Sequence, residues 1–183
     1  DVLKENTVLT NVDYSKVPTK SGIVRVEEDN NVKYYFRGNP NNNMTFAGLD
    51  FKVLSTNNDG SVNIVLNNTI DSSTYENIET TLLNWYDINI KENEKYIKTD
   101  QTYCEEKTNS NGEYLGKLRV ENHNPSINCS TLNKYTKVGI LTADDLMYAG
   151  GVKGISNTSF YLNSTNSYFL STFKDASTIY AYK

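Results

Sequence analysis

The chain predicts an α+β domain of mainly antiparallel β-hairpins, two or three short helices and long loops. Two segments and one compositional bias carry that expectation. Residues 32–66 read as strand, loop, strand, tight turn, strand, and residues 137–151 read as a buried strand running into a capped helix. Fourteen Tyr and six Phe among 183 residues replace much of the missing aliphatic volume. Aromatic rings bury large areas and favour strands. A chain of this length makes one domain, or at most two small ones, and buries a core without help from a metal.

Residues 1–21 are a polar lead-in with Val2, Leu3, Leu9 and Val12 as sparse apolar points, ended by Pro18 and Gly22. They read either as a linker or as the frayed end of an upstream helix. Residues 22–183 then form a single domain. Strands at 22–27 and 32–37 flank the turn Glu28-Asp29-Asn30-Asn31, and the loop 38–43 separates this hairpin from a strand over 45–55. Phe51 and Val53 share one strand face, and Val62, Ile64 and Leu66 supply a face of the next strand. Asn57-Asn58-Asp59-Gly60 tolerates the positive φ of the turn between them.

Helices come next. Ser73-Thr74-Tyr75-Glu76 has capping-box spacing, and Ile78, Leu82 and Trp85, with Leu83 and Tyr86 beside them, form a stripe at helical spacing that packs on the sheet through Trp85. A short helical turn follows at 92–97. Thr142-Ala143-Asp144-Asp145 repeats the capping pattern ahead of Leu146, Met147 and Tyr148 and a Gly150-Gly151 stop. Carboxylates in a first helical turn favour the positive end of the macrodipole, so the acidic pair reads as structural. Short aromatic strands at 159–162, 167–170 and 178–182 close the chain.

Charge and cysteine usage narrow the function. Eighteen Lys plus Arg against twenty-two Asp plus Glu give a net charge of -4, with no basic run to follow a phosphate backbone, so nucleic acid is excluded. Asn is about one residue in seven. An AT-rich bacterial coding sequence produces that bias, and the sequons at Asn43, Asn67, Asn128, Asn157 and Asn163 are what chance then supplies. Cys104 and Cys129 flank a polar, Gly- and Asn-rich stretch with His123 as the sole histidine, too few ligands for a metal. A disulfide is the better reading. It would stabilise the fold by about 3 kcal/mol and points to an oxidising, extracytoplasmic compartment. No apolar run is long enough to span a bilayer, so any membrane attachment is expected to come from a helix or anchor upstream of Asp1.

The motifs YYFRGNPNNNMTFAGLDFKVLSTNNDGSVNIVLN, LLNWY, YCEE, KVGILTADDLMYAGG and NTSFYLNSTNSYFL follow one another in this order. Together they resemble a widespread uncharacterised exported domain of low-GC Gram-positive bacteria, over most of residues 22–182. The resemblance implies a fold like that of the formylglycine-generating-enzyme and C-type-lectin-like group. It also implies placement on surface proteins, among them type IV pilins with a prepilin-type N-terminal helix. It implies no established chemistry. Two departures stand out: Leu170 occupies a position where that domain often has Trp, and the chain ends at Lys183, where further strands usually follow.

Catalytic readings fail on the residues. The generating enzyme holds copper between two closely spaced cysteines, whereas Cys104 and Cys129 are far apart in sequence. His123 sits in the loop ENHNPS with no apolar strand to position it in a triad. Asp144 with Asp145, or Glu105 with Glu106, are neighbours whose side chains diverge, which a glycosidase pair does not tolerate. No catalytic residue, metal or cofactor is therefore assigned. The expected function is a non-enzymatic extracellular surface domain, the headgroup of a minor type IV pilin, with other pilin subunits or surface proteins as partners. The alternative is a stand-alone module binding carbohydrate or protein, such as a host glycan or matrix protein. Asn41, Asn42 and Asn43 in loop 38–43, with Tyr161 and Tyr168 around loop 157–166, are its candidate ligand contacts. The same residue types are ordinary turn formers. An unrecognised enzyme is the remaining alternative.

Overall fold

The computed structural model describes residues 5–71, 74–131 and 137–183. Its main sheet is antiparallel and five-stranded: β1 (Gly22–Glu28), β2 (Asn31–Arg37), β3 (Asn43–Phe46), β4 (Leu49–Asn57) and β5 (Val62–Leu66). β1 and β2 close through Asp29 and Asn30, both at positive φ, the backbone that a two-residue hairpin needs to match strand twist. β4 is the hub. One edge pairs with β3 near its start and with β2 near its end, while the other edge pairs with β5. Phe51 lies opposite Leu66 and Val53 opposite Ile64, and a register shift after Val53 sets Ser55 opposite Asn63.

The α+β class and the hairpins over 22–37 and 51–66 are as the sequence predicts. Three strand expectations need correction. Residues 45–55 are split by a turn at Ala47 and Gly48, with φ of 51° and 75°, so a β3–β4 hairpin stands where one strand was expected. Alanine is no turn signal, and the apolar pattern runs straight through it. Residues 159–162 form a bend and a turn instead of a strand: Phe160, Tyr161 and Leu162 are buried, and Tyr161 N donates to Gly38 O outside any ladder. Residues 137–141 join no ladder either, although Leu141 O accepts from Ser171 N.

Helix α1 (Ile78–Asn89) follows a single 3-10 turn, Tyr75–Asn77. Ser73 of the expected capping box lies outside the described residues, and the cap position Asn77 makes no side-chain cap bond. Ile78, Leu82, Tyr86 and Ile90 are buried, and Tyr86 and Ile90 pack with Phe51 of β4. Trp85 is half-buried at the margin of that cluster, so Tyr86 takes the anchoring role expected of it. A 3-10 run, Lys91–Tyr96, ends the unit close to the turn predicted at 92–97.

The disulfide-closed stretch is more regular than its composition suggests. It holds a miniature hairpin, β6 (Asn109–Ser110) and β7 (Glu113–Tyr114), turned at Asn111 and Gly112, and then helix α2 (Leu115–Asn122). A Cβ on Gly116 would sit 2.5 Å from the Thr172 methyl, so only glycine lets α2 approach β8 (Tyr168–Phe173). β8 pairs with β9 (Ile179–Tyr182) near the predicted 167–170 and 178–182. Helix α3 (Ala143–Ala149) carries the expected capping box: Asp145 N donates to Thr142 Oγ1 at 3.0 Å and Thr142 N donates to Asp145 Oδ2 at 2.9 Å.

The principal core lies where α3 meets β1, β2 and β4, with 160–162 closing it. Tyr148 of α3 stacks on Tyr35 at 4.4 Å between ring centroids and takes Tyr14 edge-on at 5.5 Å. Buried Arg37 caps the far end of α3, donating from one guanidinium nitrogen to Met147 O (2.7 Å) and Tyr148 O (3.2 Å). That arrangement places a cation on the carbonyls at the negative end of the helix. The other nitrogen donates to Lys16 O. Residues 5–21 contain no helix; Leu9 N donates to Ile23 O and Ile23 N donates to Thr7 O, while Leu9, Val12 and Tyr14 pack on the core. The lead-in is a strap against the domain.

Candidate binding cleft and buried charge network

A cleft of about 1820 Å³ runs past β5, α1 and the 161–169 segment. Its size follows from β4: with α3 on one part of the sheet and α1 on another, β5 is left as an outer strand that, among the described residues, pairs on one side only. Aromatic walls come from Phe51, Trp85, Tyr86, Tyr103, Tyr168 and Phe169, and amides from Asn63, Asn67, Asn128, Asn163 and Asn166. Burial pushes the Tyr86 phenol up to about 12, helped by its hydrogen bond to Glu94, so it stays a neutral donor. The volume exceeds the roughly 300–1,000 Å³ that suits a drug-sized ligand.

The residues proposed as ligand contacts separate into three environments. Asn41 and Asn43 are exposed, and neither lines the cleft; Asn43 Oδ1 accepts from Lys52 Nζ. Asn42 is fully buried, its Nδ2 donating to Val53 O at 2.8 Å while its backbone carbonyl accepts from Val53 N. It therefore ties loop 38–43 to β4. Tyr161 and Tyr168 both line the cleft. Tyr161 is buried, with its hydroxyl donating to Phe36 O, and burial holds its phenol well above the ordinary range. Tyr168 is half-buried, stacked on Tyr182 at 4.9 Å, and donates to Leu162 O. Of the two loops proposed from sequence, 157–166 reaches the cleft through Asn163, Ser164, Thr165 and Asn166.

Beside the cleft lies a buried charge network that the sequence did not reveal. Arg119 of α2 donates from Nε to Asp144 Oδ1 and from Nη2 to Asp144 Oδ2, both at 2.9 Å, and from Nη2 to Glu106 Oε2 at 3.1 Å. Glu106 is fully buried and Asp144 nearly so. Burial raises the Asp144 carboxyl to about 6 even with Arg119 and Ser126 N bonded to it. The two carboxylates in turn hold the Arg119 guanidinium charged against its own burial. The remaining acceptors serve the loop after α2. Ser126 N bonds Asp144, Ser130 N bonds Glu106, Ser126 Oγ and Ile127 N bond Glu28, and Asn128 Nδ2 bonds Asp29. Asp144 and Asp145 do diverge as their adjacency requires, Asp145 turning to its cap and to the Tyr35 hydroxyl at 2.8 Å.

Cys104 and Cys129 form the predicted disulfide, with Cα atoms 5.7 Å apart. Glu106 lies near both sulfurs, a grouping that resembles three metal ligands. Bonded to each other, the sulfurs supply no thiolate. His123 caps α2 in the left-handed conformation, φ 52°, and is part-buried with Nδ1 unpartnered among the described residues. Comparison with known protein families, with curated proteins and with solved structures finds no match.

Proposed function

We propose that this chain is a non-enzymatic domain displayed outside the cytoplasm, engaging a ligand through the cleft beside β5. The observation that carries the proposal is the pairing of a disulfide-closed loop with an aromatic and amide-lined trough of about 1820 Å³. The disulfide fits an oxidising compartment, and the trough supplies a recognition surface. The motif resemblance favours a C-type-lectin-like fold and, more specifically, the headgroup of a minor type IV pilin with other pilin or surface proteins as partners. In that arrangement a pilin stem would join the domain through the strap at 5–21, which lies along β1.

The test is determination of the native N-terminus and the envelope fraction in which the protein resides. A Gly-Phe-type processing site followed by a long apolar helix supports the pilin headgroup. A lipobox or ordinary signal peptide supports a free-standing surface module. Recovery of the protein solely from the cytoplasm contradicts both.

A further inference from the structure

The edge of β5 away from β4, unpaired among the described residues, has a specific chemistry. Asn67 N donates to Asp50 O and Asn57 N donates to Ser61 O, and the register pairs Lys52 with Val65 between these points. Antiparallel alternation therefore turns the backbone groups of Asn63 and Val65 towards β4, and those of Val62, Ile64 and Leu66 away from it. Among the described residues no hydrogen bond reaches these outward N–H and C=O groups. Exposed edges are normally protected by charge, proline, a covering element or extreme shortness. The segment Val62-Asn63-Ile64-Val65-Leu66 has neither charge nor proline, is rich in β-branched residues, and lines the large cleft.

We propose that β5 is a strand-addition site: an extended segment of a partner polypeptide, uncharged and apolar at alternate positions, lies in the cleft and pairs with Val62, Ile64 and Leu66. This rests on the cleft reading above but not on the pilus assignment. Backbone groups on such an edge are satisfied in register by another strand, and this mode uses main-chain bonds for affinity and alternate side-chain pockets for specificity. On one face, the guest's alternate side chains continue the row formed by Phe51–Leu66 and Val53–Ile64 and meet the half-buried Trp85 and Ile97. A sugar would leave the amide edge without its matching spacing. A second copy would have to bring its own β5, itself set within a cleft, into the same trough.

The experiment uses the whole chain with amide resonances assigned, titrated with an end-capped octapeptide of alternating valine and threonine, and separately with a panel of neutral oligosaccharides. The expected result is peptide-induced shifts and slowed hydrogen exchange at Val62, Ile64 and Leu66. In Val62→Pro, the outward N–H is removed without touching a β4 bond, and peptide affinity falls about tenfold or more. In Val62→Thr, which keeps that N–H, affinity holds. Both variants are checked for an unchanged fold by the Tyr35 and Val53 amides. Absence of peptide binding to the folded wild-type chain overturns the proposal, as does equal peptide binding by Val62→Pro, or oligosaccharide binding that shifts the cleft while the peptide does not. A concentration-dependent dimer abolished by Val62→Pro would replace the peptide with a second copy. None of these outcomes bears on where the cell places the protein, so this test and the N-terminus determination fail independently.

Discussion

The sheet half of the molecule and its disulfide-closed half are held together by different physics. Across β1, β2 and β4 the buried contacts are mainly apolar, with Ile23, Val24, Phe36, Val53 and Leu54 all packed against α3 and the 160–162 segment. Between Cys104 and Cys129, α2 buries little beyond Gly116 and Val120. That half depends on the disulfide and on Arg119 spanning Glu106 and Asp144. Apolar contact is non-directional and forgiving of shape-conserving change, whereas a buried ion network is unforgiving of any missing member. The two halves should therefore respond to substitution in opposite ways.

The largest contrast is expected at Arg119. Arg119→Ala leaves two buried carboxylates without their cation and should cost about 3–5 kcal/mol in chemical denaturation. Leu54→Met, a volume-conserving change in the sheet core, should cost less than about 1.5 kcal/mol. Replacing Glu106, Arg119 and Asp144 together by Leu, Met and Leu should remain destabilising, because Thr108 N, Ser126 N and Ser130 N would lose their acceptors. A triple variant as stable as the wild type would show that the network is dispensable and would break the comparison.

Next in size is the covalent staple. Converting both cysteines to alanine should lower stability by about 3 kcal/mol, and hydrogen exchange should accelerate first in α2 and the 124–130 loop. Uniform acceleration including β1 and β2 would mean that the halves unfold as one unit.

The smallest effect is a pH dependence. Burial holds the Asp144 carboxyl at about 6, above its ordinary 3.8, so the folded protein binds this proton more tightly than the unfolded chain. The sign follows: stability contributed by this group is greatest below the unfolded value and is lost as pH rises through the folded one. At about 1.4 kcal/mol per pKa unit the drop should be no more than about 3 kcal/mol, and Asp144→Asn should flatten it in thermal melts. Asp13 and Asp59, held below the ordinary carboxylate range by Ser15 and Lys98 respectively, act at more acid pH and with the opposite slope. A slope unchanged in Asp144→Asn would assign it elsewhere.

This contrast also explains what the sequence could reveal. The hairpins over 22–37 and 51–66 announce themselves through alternation and turn residues such as Asp29-Asn30 and Asn57-Asn58-Asp59-Gly60, and the Thr142–Asp145 capping box is a local pattern. The Ala47–Gly48 turn lacks a turn-former at its first position. α2 was hidden because a helix with one buried apolar side chain shows no stripe, although Asn111-Gly112 was a hairpin signal in plain view. The Glu106–Arg119–Asp144 network joins residues from three separate segments, which no spacing rule connects. The roles of Asn42 and Tyr161 were equally non-local: loop-type residues became buried ties to Val53 and Phe36. The edge status of β5 depends on which strands fail to pair with it, and a single sequence does not display that.

The most direct measurement of the account is thiol labelling of the native protein in freshly harvested cells, with and without prior reduction, read from the mass of the Cys104 and Cys129 peptides. Surface display in an oxidising compartment predicts that both cysteines label only after reduction. Full labelling of both without reductant would contradict extracytoplasmic placement and remove the covalent support assigned to the network around Arg119.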